Sequence, residues 1–208
     1  MEQFRVAIVV PAFNEAGSIS KQIAKLSKYG HVIVVNDGST DNTKEICEKS
    51  PCRIINLDSN RGYDHALEVG IKACLNYDFV ITTDADGEIP TDSVQMVKDK
   101  LNSGYDCVIG VRDHYPRIGE QIVNRVVFKN FEIKDIFCGL KGYRTSAIPS
   151  EFTLANSIGT KLALVFFKKN KKIGTIPVKI HARTGNSRFG KNDLKTNYKL
   201  LKVLKYVI

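Results

Sequence analysis

Several kinds of site are excluded by what the sequence lacks. The five cysteines form no Cys-x-x-Cys pair and have no histidine at ligand spacing, so neither a zinc site nor a disulfide framework is expected. No stretch approaches the roughly 20 apolar residues that span a bilayer, and the first residues do not form a signal peptide. The first apolar run is not followed by a Gly-x-Gly-x-x-Gly turn, which argues against a Rossmann dehydrogenase. No basic motif is interleaved with aromatic residues, so nucleic acid is not an expected partner. A reducing, cytoplasmic compartment fits these absences.

Carboxylates are scarce in the last quarter of the chain. Lys and Arg number 31 against 22 Asp and Glu, for a net charge of +9, and beyond Glu151 the only carboxylate side chain is Asp193. A positive potential is therefore expected there, with an anionic partner such as a phosphorylated substrate or an acidic lipid surface. From 195 to 208, lysines alternate with apolar residues in a pattern that permits an amphipathic helix, which either docks on a membrane or packs on the core.

Apolar runs rich in β-branched residues alternate with helical patterns, which predicts an α/β fold with a mostly parallel sheet flanked by helices. We expect one domain over 1–208, with an edge strand where Pro177 interrupts an apolar run. The predicted strands are Arg5–Val10, His31–Val35, Arg53–Leu57, Phe79–Thr83, Asp106–Val111 and Lys172–Ile180, and a short strand lies within Cys138–Arg144. The first predicted helix follows Asn14-Glu15. The others cover Asp41–Lys49, Asp64–Asn76, Thr91–Leu101, Arg117–Phe131 and Ser157–Lys169, with Thr91 and Asp41 as caps.

Polar loops follow the first, second and fourth predicted strands. Asp84-Ala85-Asp86 ends a buried strand, and two carboxylates in that position suit Mg²⁺ or Mn²⁺. A lone Asp-x-Asp is more often a solvated turn. However, Pro11-Ala12-Phe13-Asn14-Glu15 and the loop from Asn36 to Asp41 occupy equivalent strand ends. Ligands of α/β sheets bind at these ends, so the three loops together predict one site.

These motifs resemble family 2 glycosyltransferases of the GT-A fold. The resemblance rests on the three loops above, on Asn60-Arg61-Gly62, and on their order along the chain. Within the family, Cys138–Arg144 with the preceding Asp135 resembles the polyprenyl-phosphate and dolichol-phosphate sugar transferases, as does the basic loop Arg183–Lys191. Glu88 departs from that subgroup, which usually has Gln there.

The resemblance implies a role for each matching residue. Residues 1–111 form the nucleotide-sugar half and 112–208 the acceptor half with its basic tail. The residues implied for the donor are Pro11, Ala12, Glu15, Asp37, Asp84, Arg183 and Arg188, with Lys191 as a weaker candidate. Asp84 and Asp86 would hold the metal, and Asp86, Arg112 and Asp135 are the expected catalytic residues, with Arg117 or Arg125 helping Arg112 to engage phosphate.

The expected function is an inverting transfer of sugar from a UDP- or GDP-sugar to a polyprenyl phosphate, at the cytosolic face of a membrane. An ionised lipid phosphate needs no general base, and the chain lacks the late carboxylate that many family members use. One alternative is transfer to a glycan hydroxyl, with Asp135 or Glu151 as the base. Another is a nucleotide-sugar-binding module without turnover.

Overall fold

The computed structural model describes residues 4–114, 117–155, 157–181 and 194–207. Its strands are β1 (Val6–Ala12), β2 (His31–Asn36), β3 (Arg53–Asn56), β4 (Phe79–Thr82), β5 (Cys107–Arg112), β6 (Lys141–Arg144) and β7 (Ile173–Val178). Its helices are α1 (Ile19–Leu26), α2 (Thr43–Glu48), α3 (Tyr63–Lys72), α4 (Ser93–Asn102), α5 (Ile118–Phe131), α6 (Lys161–Lys168), α7 (Leu194–Leu201) and α8 (Leu204–Val207). A 3-10 turn, Thr145–Ala147, follows β6.

The strands form one seven-stranded sheet in the order β3-β2-β1-β4-β6-β5-β7. All neighbouring pairs are parallel except those of β6, which runs antiparallel between β4 and β5. The predicted mostly parallel sheet is confirmed, and β7 with its Pro177 lies at the edge as expected. Because β1 lies between β2 and β4, the loops that follow these three strands share one edge of the sheet.

Side chains of β1 explain why the sheet is covered on both faces. All seven residues of this strand are buried. Ile8 and Val10 pack on the face covered by α1, α2 and α4, whereas Ala7 and Val9 pack on the face covered by α3, α5, α6, α7 and α8. Burying one such aliphatic side chain is worth about 1.5–3 kcal/mol, so the two apolar faces hold the three layers together.

Three predictions about where helices begin or end are wrong. Helix α4 begins at Ser93 with Asp92 at its N-cap, so Thr91 is not the cap. Helix α6 begins at Lys161, and not at Ser157, because backbone N–H groups of residues 157–159 bind the Asp64 carboxylate. The single tail helix is in fact two helices, α7 and α8, separated by a turn.

Two further findings concern the basic loop and the possibility of a membrane-spanning helix. The loop Arg183–Lys191 lies outside the described residues. Among the helices that the structure describes, none combines the length and apolar character that crossing a bilayer requires.

Candidate functional site

The predicted site lies at the carboxyl edge of β1, β2 and β4. Pro11 and Ala12 are the last two residues of β1. Both are buried, and they pair with Val35 and Asn36 of β2. The N–H of Asp37 continues this ladder by donating to the Ala12 carbonyl at 2.8 Å. The end of β1 therefore fixes the position of the loop that follows β2.

Asp37 is the central residue of that loop. It is 3% exposed, and its two carboxylate oxygens accept hydrogen bonds from the N–H groups of Arg61 and Gly62, both at 2.9 Å. Gly38 has φ +66°, and a Cβ there would lie 2.6 Å from the Asn60 nitrogen, so only glycine fits. The structure thus brings the Asn60-Arg61-Gly62 motif against the Asp37 loop. The predicted contact of Asp37 with the nucleoside stays a prediction.

The loop after β1 is bonded to the loop after β2. Asn14 adopts φ +54°, donates its N–H to the Ser39 hydroxyl at 3.0 Å and accepts the Thr40 N–H at 2.8 Å. The N–H of Glu15 donates to the Thr43 hydroxyl at 2.8 Å, and the Glu15 carboxylate accepts the Ser18 hydroxyl at 2.6 Å. Glu15 is therefore held at the shared edge, and its contact with the donor stays a prediction.

Asp41 also holds the loop after β1 against the loop after β2. Its carboxylate accepts N–H groups of Ala16 at 3.1 Å and Thr43 at 3.0 Å, and also the Thr43 hydroxyl. Partial burial opposes ionisation, but these hydrogen bonds outweigh it and lower the pKa of Asp41 below its ordinary value. Asp41 thus bonds to the first residue of α2, but the N-cap is Asn42, so the prediction that Asp41 is the cap is wrong.

Asp84 and Asp86 follow β4 and are both partly exposed. Asp84 packs against Gly139, where a Cβ would lie 2.1 Å from a carboxylate oxygen, so any larger residue would displace the carboxylate. The Thr82 hydroxyl ties the two segments together by donating to the Gly139 carbonyl at 2.9 Å. One oxygen of Asp86 accepts the Glu88 N–H at 3.0 Å. The residues around Gly139 therefore form the wall behind the predicted metal ligands.

The donor set around Asp84 and Asp86 fits a cation that is shared with a substrate. The described residues contain no cluster of three or more His, Cys, Asp or Glu side chains that is able to hold a metal ion alone. Mg²⁺ commonly takes only one or two carboxylates and completes its shell with substrate phosphates and water. Asp84 and Asp86 would supply those carboxylates, and their roles stay predictions.

Lys141, on β6, places a buried positive charge behind this wall. It is 3% exposed, and its ammonium donates to the Cys138 carbonyl at 2.5 Å. Burial lowers the pKa of Lys141, and the negative charges of Asp135 and Asp84 oppose part of that shift. The sequence analysis missed this residue, because a lysine in an apolar strand pattern gives no sign that it points inward.

Arg112 and Asp135 form a buried, bidentate ion pair. The Arg112 guanidinium donates to Asp135 at 2.7 and 3.0 Å and to Glu120 at 3.2 Å, while Arg117 donates to Glu120 at 2.6 Å. Asp135 is 0% exposed and also accepts the Phe137 N–H at 3.1 Å. Burial disfavours the charge of Arg112, but the Asp135 carboxylate outweighs it and raises the pKa of Arg112.

This ion-pair network fixes the end of β5 against α5, and it engages two of the arginines expected to meet phosphate. The catalytic roles of Arg112 and Asp135 stay predictions. Arg125 is exposed on α5, and Glu151 is exposed after the 3-10 turn. Arg183, Arg188 and Lys191 lie outside the described residues.

Asp64, in the first turn of α3, is a second residue that sequence analysis missed. Its carboxylate accepts N–H groups of Ser157, Ile158 and Gly159 at 2.9, 3.0 and 2.6 Å. Burial raises the pKa of Asp64, and these three bonds, which favour the ionised form, oppose that shift. The segment before α6 is therefore anchored beside the Arg61-Gly62 loop.

Comparison with known proteins agrees with this architecture. The family model described as Glycosyl transferase family 2 matches residues 7–174. A protein of Methanocaldococcus jannaschii described as uncharacterized is 43% identical over 112 residues, covering 51% of this chain and 46% of that protein. The UDP-N-acetylglucosamine--dolichyl-phosphate N-acetylglucosaminyltransferase of Methanococcus voltae is 28% identical, covering 84% of each chain. The dolichyl-phosphate hexose transferase of Haloferax volcanii is 26% identical, covering 88% of this chain and 86% of that protein.

Some relatives are longer, since the chain spans 46% of the length of the Methanocaldococcus jannaschii protein and 65% and 49% of the lengths of two further relatives. Among solved structures, the glucosyl-3-phosphoglycerate synthase of Mycobacterium tuberculosis in complex with Mn²⁺ and UDP-glucose superposes with a TM-score of 0.80. It is 17% identical in sequence, and the match covers 98% of this chain and 79% of that chain. At that identity the likeness concerns the fold, and the family match carries the assignment. With its loops gathered at the carboxyl edge of one mostly parallel sheet, the chain belongs to glycosyl transferase family 2 and has the GT-A fold.

Proposed function

We propose that this chain is an inverting glycosyltransferase that moves a sugar from a UDP- or GDP-sugar to the phosphate of a polyprenyl lipid. The observation that carries the proposal is that Asp37 follows β2 and Asp84 and Asp86 follow β4, the two strands that flank β1, so all three lie at the same edge of the sheet. This edge offers polar groups for a nucleoside and two carboxylates for a cation and diphosphate. The near full-length likeness to two dolichyl-phosphate sugar transferases supports a lipid phosphate as the acceptor.

The chemistry follows from the charges at the site. Mg²⁺ or Mn²⁺, when bound, would neutralise the negative charge that develops on the leaving diphosphate. An oxygen of the lipid phosphate forms a bond to the anomeric carbon while the bond from that carbon to the diphosphate breaks. The nucleoside diphosphate leaves with the electron pair, and attack from the opposite face inverts the anomeric carbon.

The residues of the chain hold this reaction in place. Asp84 and Asp86 would hold the cation, and the Gly139 wall keeps Asp84 oriented. Asp37 fixes the Arg61-Gly62 loop beside the nucleoside. No side chain has to remove a proton from the acceptor, because a phosphate monoester is already ionised at neutral pH.

Burial at Asp135 favours the lipid phosphate over a glycan hydroxyl. A hydroxyl acceptor needs a general base within hydrogen-bond reach. Asp135, the buried candidate for that base, has no exposed surface and is held by Arg112 and Phe137. Turnover with a glycan through Asp135 as the base would therefore require this ion pair to open.

Exposed apolar side chains support a peripheral position on a membrane. On α5, Ile118, Ile122 and Phe128 are 57%, 45% and 46% exposed, and on the adjacent α7, Leu194 and Tyr198 are 90% and 62% exposed. The Lys202 ammonium lies 4.7 Å from the centre of the Tyr198 ring. Apolar side chains next to basic ones suit the interface of an anionic membrane. We place the protein at the cytosolic face, where nucleotide sugars and polyprenyl phosphates meet.

An acceptor panel tests the proposed function. Radiolabelled UDP- and GDP-sugars are incubated with the protein, Mn²⁺ or Mg²⁺, and one of three acceptors: a short polyprenyl phosphate, the matching polyprenol, or a free saccharide. Label should enter the lipid only with the phosphate. Transfer to the saccharide with none to the lipid would identify a glycan acceptor. Neither transfer nor donor hydrolysis with any nucleotide sugar would indicate a binding module.

A further inference from the structure

A cavity of about 690 Å³ opens between the start of α3, the segment before α6, and helix α7. It adjoins the nucleotide edge, because Arg61 and Gly62 form one of its walls and donate their N–H groups to Asp37. Its volume lies in the range of about 300–1,000 Å³ that is typical of small-molecule sites. Its lining includes the cations Arg61, Lys199 and Lys202, the carboxylates Asp64 and Glu68, and the aromatic residue Tyr63.

The two carboxylates of the lining accept hydrogen bonds from other groups of the protein. Asp64 accepts three backbone N–H groups of residues 157–159. Glu68 accepts the Lys72 ammonium at 2.6 Å and the Leu154 N–H at 2.7 Å. The charge of Glu68 is thus paired with Lys72, whereas Asp64 keeps its negative charge and its oxygens bind neutral N–H groups.

The cations of the lining have no such partners. Within the described part of the chain, Arg61, Lys199 and Lys202 form no ion pair with a carboxylate. All three are exposed, and the Lys202 ammonium lies 4.7 Å from the centre of the Tyr198 ring. The start of α3 adds the positive end of a ten-residue helix. The three cations outnumber Asp64, the carboxylate of the lining that is not ion-paired, so the lining has an excess of positive charge and suits an anionic group.

Apolar groups line the cavity beside these cations. Tyr63, Ala155 and Ile158 are part of the lining, and Tyr63 and Ile158 are partly buried. A ligand with an anionic head and an apolar chain would match both kinds of surface. By contrast, Arg112 and Arg117, the arginines first expected to bind phosphate, are held by Asp135 and Glu120.

We propose that this cavity is the acceptor site, in which Arg61, Lys199 and Lys202 bind the phosphate monoester of a prenyl lipid and Tyr63 and Ile158 contact its first isoprene units. The proposal rests on the proposed function and names a site for its acceptor. It places the phosphate beside the Arg61-Gly62 loop, next to the donor. It also gives Lys199 and Lys202 a role that does not depend on a membrane surface.

Direct binding of farnesyl phosphate tests the site without turnover and without a bilayer. Calorimetry compares the parent chain, the double variant Lys199→Ala/Lys202→Ala, and the control Lys168→Ala/Lys171→Ala, which removes two exposed lysines outside the cavity. Farnesol, inorganic phosphate and UDP are the other probes. We expect farnesyl phosphate to bind the cavity variant about tenfold more weakly or worse, because charge-assisted hydrogen bonds are lost. The control variant should match the parent, and UDP affinity should not change.

Several results would overturn the acceptor site. These are no binding of farnesyl phosphate to the parent, equal affinity in both double variants, or a parallel loss of UDP affinity, which would assign the lysines to the donor. Inorganic phosphate binding as tightly as farnesyl phosphate would indicate a general phosphate site. If the double variant does not fold, Lys202→Gln alone provides the same comparison, with Lys171→Gln as its control.

The acceptor panel separates this inference from the proposed function. If the parent transfers sugar to polyprenyl phosphate while the cavity lysines prove unimportant, the inference fails and the function stands. If the parent transfers none, the function fails whatever the cavity binds.

Discussion

Asp37 has a structural task in addition to its predicted contact with a nucleoside. Both of its oxygens accept main-chain N–H groups, and those groups belong to a loop more than twenty residues further along the chain. An aspartate at this position therefore fixes one loop of the site on another. Hydrogen bonds to an ionised group are worth more than neutral ones, so the arrangement is costly to disrupt.

Asp37→Ala should weaken nucleotide binding and also lower the free energy of unfolding by about 1.5–3 kcal/mol, because two N–H groups lose an ionised acceptor. Asp37→Asn keeps one acceptor oxygen, so its nucleotide affinity and its free energy of unfolding should lie between those of Asp37→Ala and the parent. Calorimetry with UDP and GDP and thermal unfolding measure the two effects. Equal nucleotide affinity in Asp37→Ala and the parent would assign the residue to structure alone.

Lys141 shows how a residue outside the predicted site shapes its electrostatics. Its ammonium is buried among Asp135, Asp84 and Asp64, and its hydrogen bond goes to the Cys138 carbonyl. Removing it would leave the buried Cys138 carbonyl without this donor and would remove a positive charge close to Asp84 and Asp64. Burying the ammonium is itself unfavourable, and the neighbouring carboxylates offset that cost.

Lys141→Met should therefore destabilise the fold by about 1–3 kcal/mol, the typical cost of an unsatisfied buried group. Lys98→Met is a matched control, because Lys98 also donates to a backbone carbonyl, that of Tyr29 at 2.7 Å, but is only partly buried. Chemical denaturation of the two variants provides the comparison. A Lys141→Met protein as stable as the parent would show that the ammonium is dispensable to the fold.

At the scale of elements, the sequence predicts the parts of the site that depend on local pattern. The β-branched runs of β1, β2 and β4 and the polar residues that follow them place Asp37, Asp84 and Asp86 at one sheet edge. The start of α6 was not predictable, because it depends on Asp64, which lies 93–95 residues away from the N–H groups it binds. The same applies to Arg112 and Asp135, whose charges are evident in the sequence but whose mutual pairing is not.

The apolar face of α5 provides a second test at this scale. Ile118 and Ile122 are four residues apart, so they lie on one side of the helix. If this side enters a membrane interface, Ile118→Ser/Ile122→Ser should reduce sedimentation with anionic vesicles while leaving nucleotide affinity unchanged. Leu75→Ser/Met96→Ser removes two similarly exposed apolar side chains elsewhere and serves as the control. Equal sedimentation of both double variants would argue against docking through α5.

At the scale of the whole molecule, the net charge of +9 is concentrated towards the end of the chain. Attraction between that region and an acidic membrane is screened over roughly 8–10 Å at physiological ionic strength. Transfer to a long-chain lipid in anionic vesicles should therefore fall as salt rises, whereas transfer to a short lipid in neutral detergent should fall less. An assay over a range of NaCl concentrations with both substrates measures the difference. The same salt dependence for both would place the charge effect at the active site and not at the membrane.

The central claim is that the cation held by Asp84 and Asp86 supports sugar transfer to a lipid phosphate. The most direct measurement follows the phosphorus NMR signal of a short polyprenyl phosphate during incubation with donor, Mg²⁺ and either the parent or Asp86→Ala. We predict that the parent converts the monoester to a sugar phosphodiester of inverted anomeric configuration, and that Asp86→Ala or excess EDTA abolishes the conversion. The claim would be contradicted if the monoester stayed unchanged while sugar was transferred to a free saccharide. Full conversion of the monoester in EDTA would contradict it as well.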